Sequence, residues 1–60
     1  MKVQVERGSY ATNWFWLYIP GDQKILVYGE KWTRSVASFA LDEVVRLTGV
    51  KRKSIRFERI

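Results

Sequence analysis

Residues 13–32 read NWFWLYIPGDQKILVYGEKW, and this stretch decides the fold. Residues 13–19 are dense in aromatic and branched side chains, which suit a pleated surface. Pro20-Gly21-Asp22-Gln23 reads as a turn, because proline presets φ at the second turn position and glycine accepts positive φ at the third. Residues 24–32 then read as the return strand, with Gly29 marking a bulge or the end of pairing. The whole stretch is a β-hairpin.

Working outward, residues 2–7 (KVQVER) alternate polar and apolar, which predicts a strand with Val3 and Val5 inward and Lys2, Gln4 and Glu6 outward. Gly8-Ser9 breaks that run. Residues 34–48 (RSVASFALDEVVRLT) carry Val36, Ala37, Ala40, Leu41, Val44 and Leu47 at helical spacing. Thr33 or Ser35 is placed to cap the helix, Asp42 and Arg46 form an i,i+4 pair, and Gly49 ends it. Residues 54–60 (SIRFERI) alternate again, with Ile55 and Phe57 facing the helix. Phe39 falls at the edge of the helical stripe, either packed on the sheet margin or exposed as a partner contact.

The expectation is a single α+β domain over residues 1–60: a small antiparallel sheet in β-β-β-α-β order with one helix packed across one face. The last strand returns either beside the first strand or at another edge. Val3, Val5, Phe15, Leu17, Ile19, Val27, Val36, Ala40, Leu41, Val44, Leu47, Ile55 and Phe57 form the expected core. Sixty residues bury a thin core, and three Trp, three Tyr and three Phe compensate with large areas per residue.

The chain contains no cysteine and no histidine. That excludes a disulfide framework, a thiolate zinc site and the commonest metal ligand and general base. Asp42 and Glu43 are adjacent on the helix and point apart, and Asp22 sits in a turn, so no carboxylate pair suggests acid–base chemistry. Ser35 and Ser38 have only Lys or Arg as a base. No Gly-rich phosphate loop is present. The expectation is no enzyme, no cofactor and no metal. No stretch is long enough to span a membrane and the N-terminus lacks an apolar signal core, so a cytoplasmic protein is expected.

Two features bear on binding. The first is Trp14, Trp16 and Tyr18, which share the face opposite Phe15, Leu17 and Ile19. If the helix covers the latter, the former make an open aromatic row, joined by Tyr28 and Leu26 through cross-strand pairing. The bland alternative is a reversed face or a segment folded over the row. The second feature is charge. Residues 51–60 hold five basic and one acidic residue, net +4, whereas residues 1–50 hold six basic and five acidic, net +1. Lys51, Arg52, Lys53 and Arg56 would attract phosphates. The bland alternative is a solvated segment after a helix C-terminus, where cations are also favoured.

The ends, MKVQVERG and GVKRKSIRFERI, resemble those of the LX-type large-subunit ribosomal protein. That resemblance implies a β-β-α-β fold on ribosomal RNA, with Lys51, Arg52 and Lys53 near phosphate. Arg7-Gly8, the Trp14/Trp16 strand, Ala40-Leu41-Asp42, Gly49 and Ile55-Arg56-Phe57 are similar in order to ethylene-response-factor DNA-binding domains, which implies a sheet that reads a DNA groove. The order of hairpin, helix and final strand resembles small phage inhibitors of RNA polymerase, which implies action through protein contacts. The expected function is nucleic-acid binding, RNA before DNA, through Lys51, Arg52, Lys53, Arg56, Trp16 and Tyr18. The alternative is a protein-binding inhibitor or adaptor docking through Trp14, Trp16, Tyr18, Tyr28 and Phe39, with the chain a monomer or homodimer.

Overall fold

The computed structural model describes residues 1–8 and 13–60. Ser9, half of the expected break after the first strand, lies outside the described residues. Strands β1 (Lys2–Arg7), β2 (Trp14–Ile19) and β3 (Gln23–Tyr28) precede helix α1 (Arg34–Thr48), and a short 3-10 turn (Arg52–Ser54) leads into β4 (Arg56–Arg59). The four strands form one sheet in the order β3-β2-β1-β4, with the helix packed on one face. This is the expected α+β class and element order.

One pairing differs from an all-antiparallel sheet. β1–β2 and β2–β3 are antiparallel, but β4 runs parallel to β1. The reason is a parity of reversals. Two hairpin reversals return β3 to the direction of β1, and the helix crossover adds two more before β4, so β4 must match β1. The sheet is therefore mixed.

The hairpin turns where expected. Gly21 has φ 99° and Asp22 has φ 62°, and Asp is among the few side chains that tolerate the left-handed region. The return strand is shorter than expected, ending at Tyr28 rather than Trp32. Gly29 closes the ladder by donating its N–H to the Asn13 carbonyl at 2.7 Å. The chain then bends, and Trp32 turns inward to stack edge-on between Phe15 (5.3 Å) and Phe57 (5.2 Å). Gly29 is also a close approach: a Cβ there would lie 2.8 Å from Val36 Cγ2. Gly29→Ala should therefore overpack the helix against β3 and cost about 1–3 kcal/mol, read as a lower urea midpoint at constant m-value.

The helix starts at Thr33, whose hydroxyl accepts from the Val36 N–H at 3.2 Å. It ends at Gly49, φ 74°, whose N–H donates to the Val45 carbonyl. The core comprises Val3, Val5, Phe15, Leu17, Ile19, Val27, Ala40, Val44 and Ile55, with Val36, Leu41 and Phe57 half-buried against it. Leu47, expected inside, is 38% exposed. The buried ridges run in i+4 steps, Val36-Ala40-Val44 and Leu41-Val45, so Val45 takes the place assigned to Leu47. The Asp42–Arg46 pair is also replaced. Arg46 pairs with Glu43 at 2.8 Å, while Asp42 is taken by Arg52, which the 3-10 turn folds back against the helix.

Candidate nucleic-acid interface

Period two and one helix leave the even-numbered residues of the sheet on its open face. Phe15, Leu17 and Ile19 are buried under the helix, so Trp14, Trp16 and Tyr18 look outward, as the hairpin reading requires. The register sorts the face into rows. Lys24, Tyr18, Gln4 and Glu58 lie side by side across the four strands. Leu26, Trp16 and Glu6 form the next row, and Tyr28 and Trp14 the one beyond. At the opposite end Lys2 pairs with Arg56.

The result is a face with a polarity. One corner is apolar: Trp14 and Tyr28 meet edge to face at 5.3 Å beside Leu26, and Tyr28 is 56% exposed. The other end is cationic, with Lys2, Lys24 and Arg56. Lys2 and Arg56 are like charges directly opposite, an arrangement that costs stability in a sheet. Glu58 offsets part of it by an exposed pair with Lys2 at 3.5 Å, worth little by itself. Lys24 places its ammonium 4.7 Å from the centre of the Trp16 ring, a cation–π contact. At the cationic end an open hollow of about 510 Å³ is lined by Lys2, Gln4, Tyr18, Lys24 and the 19–23 turn.

Tyr18 is held in place. Its hydroxyl donates to Glu6 Oε1 at 2.5 Å. That hydrogen bond first, then partial desolvation and the nearby Glu6 charge, raise the phenol above its ordinary 10.0. A raised folded value means the folded state keeps the proton longer. The contribution to stability is therefore full below pH 10 and is lost as pH rises through the folded value. In a tyrosinate absorbance titration, the component removed by Tyr18→Phe should titrate above the ordinary range, and Glu6→Gln should bring it down.

The residues expected to touch nucleic acid are only partly brought together. Trp16 and Tyr18 are neighbours on the open face, and Arg56 shares that face two strands away, roughly 10 Å. Lys51 and Lys53 are exposed at the foot of β4. Arg52 instead points to Asp42 on the helix side. Phe39 does not join the aromatic row: it is 53% exposed on the helix, beside Arg34, Ser35, Ser38 and Asp42. Of its two readings, packing on the sheet margin is the one the structure removes. Lys2, Gln4 and Lys24 were missed as site residues. Their even numbers match those of the aromatic row, but only the observed register puts them in one hollow.

Among the described residues no helix is long and apolar enough to cross a membrane. No family model, curated protein or solved structure matches this chain.

Proposed function

We propose that this domain is a non-catalytic binding module for single-stranded nucleic acid, RNA ahead of DNA, acting in the cytoplasm. The observation that carries the reading is the open face: Trp16 lies under the Lys24 ammonium, and beside it Tyr18 lines a hollow together with Lys2 and Lys24. Unpaired bases stack on aromatic side chains whatever their sequence, and flanking cations track the phosphates. Arg56 extends the cationic track along the open face, and Lys51 and Lys53 continue it beyond the foot of β4. Arg52, paired with Asp42, stays outside this track. The carboxylates Glu6 and Glu58 would repel phosphate, but as acceptors at the row's margin they suit a ribose 2′-hydroxyl, which favours RNA. The likeness of both chain ends to the LX-type ribosomal protein points the same way.

The test is a titration of labelled single-stranded RNA and DNA oligomers at low salt, repeated at rising salt. Binding to RNA that quenches tryptophan emission and weakens steeply with salt supports the reading. Absence of binding to both at low salt overturns it. The apolar corner of Trp14, Leu26 and Tyr28, which has no cation in its rows, would then be the anchor for a protein partner.

A further inference from the structure

Lys2, Arg46 and Arg52 are each held by a carboxylate, from Glu58, Glu43 and Asp42. Lys24 is different. Among the described residues no carboxylate pairs with it, and its ammonium lies over the Trp16 ring instead, 4.7 Å from the centre. The register explains the reach. Lys24 stands opposite Tyr18, and Trp16 is its diagonal neighbour one row along, within range of a long side chain. Lys24 also lines the hollow, whereas Trp16 does not. One side chain thus borders the hollow and covers the ring. A base that stacks on the covered face of Trp16 must first displace that ammonium, since two occupants cannot share one ring face. The contact is easily broken. A cation over an exposed ring shifts an equilibrium only about two- to fivefold, and no salt bridge is lost with it.

We infer that Lys24 is a movable cover that makes the Trp16 platform selective for rings joined to a phosphate. In the free protein the ammonium lies on the ring. When a single strand binds, the base takes the ring face and Lys24 turns back into the hollow to meet a phosphate of the same strand. The movement is one row of the sheet, roughly 7 Å, which is comparable to the separation of a base from its phosphate. The cation exchanges a ring for a charged acceptor, which is the stronger partner. A nucleoside or an aromatic peptide side chain displaces the ammonium and gives it nothing in return. The exchange rests on the single-strand reading of this face and adds to it the class of ligand that the platform accepts.

Nuclear magnetic resonance of the full chain tests the movement. The ε-methylene protons of Lys24 should be shifted upfield by the Trp16 ring in the free protein and lie at ordinary positions in Trp16→Leu. Saturation of the parent with a single-stranded RNA oligomer should move them to ordinary positions as well. Titrations of Lys24→Ala test the selectivity. Its RNA affinity should fall at low salt, with the salt slope reduced by about 0.7. Its affinity for an end-capped, neutral peptide nucleic acid of the same bases should rise about two- to fivefold over the parent, because the ring is uncovered. RNA that binds the parent while the upfield shift persists overturns the inference and leaves the single-strand reading standing. So does a Lys24→Ala chain whose affinity for the neutral oligomer does not rise, because Lys24 is then a phosphate contact and no cover. A parent that binds no RNA at low salt overturns the reading and the exchange together.

Discussion

Phe15→Ala should leave most of the chain unfolded at room temperature. Phe15 is fully buried at the point where sheet, helix entry and last strand meet. Its ring meets Trp32 edge-on at 5.3 Å and lies under the guanidinium of Arg7 at 4.4 Å. Trp32 in turn holds Phe57, so truncation removes a link between β2 and β4 as well as one side chain. Removing a buried phenylalanine costs about 3–5 kcal/mol. A single core in a chain this short supplies about 3–5 kcal/mol in total. The loss and the reserve are of the same size, which is why this substitution should have the largest effect on stability. Far-ultraviolet circular dichroism with urea should show little or no folded baseline for Phe15→Ala. Phe39→Ala, on the exposed helix flank, should stay within about 0.5 kcal/mol of the parent. A Phe15→Ala chain that melts cooperatively at nearly the parent midpoint would contradict this account of the core.

The second large effect is expected on binding, and two variants separate its components. Trp16→Ala should weaken binding of single-stranded RNA by about 1–3 kcal/mol, because one stacked base loses its platform. The slope of log affinity against log salt should barely change, since no phosphate contact is lost. Replacing Lys51, Arg52 and Lys53 together by Ala should do the reverse. Each phosphate contact on a single strand contributes about 0.7 to the slope. With Arg52 remaining on Asp42, Lys51 and Lys53 should account for a slope reduction of about 1.4. A reduction nearer three contacts would mean that Arg52 leaves Asp42 for the phosphate. If Trp16→Ala binds as well as the parent while the triple variant does not, the sheet face is not a stacking platform and the interaction is electrostatic alone.

The helix was legible in the sequence to its last residue, because everything that defines it is local. The 3.6-residue stripe, the Thr33 cap and Gly49 all act within a turn or two of where they stand. The two faces of the hairpin were legible for the same reason. Alternation is a property of neighbouring residues, and a single helix leaves one face of Trp14–Ile19 open. With it came the aromatic half of the candidate site, Trp14, Trp16 and Tyr18.

The rest needed the tertiary structure, because it depends on residues distant in sequence competing for one another. The alternation at residues 54–60 announces a strand but not its neighbour. Only the backbone bonds Arg56 to Met1 and Ile60 to Val5 place it parallel to β1. Asp42 had several cations within reach of plausible folds, and the 3-10 turn gave it Arg52 rather than Arg46. Trp32 looked like the end of a strand, but two aromatic partners from other elements outweighed continued pairing beyond Gly29. The cationic half of the site has the same character. Lys2 and Lys24 are far apart along the chain, and each alone is an ordinary surface lysine. The registers of β1 with β2 and of β2 with β3 bring them to one hollow beside Tyr18. Local periodicity fixes which side of a strand a residue faces; long-range pairing fixes what stands beside it, and a binding surface is made of the second.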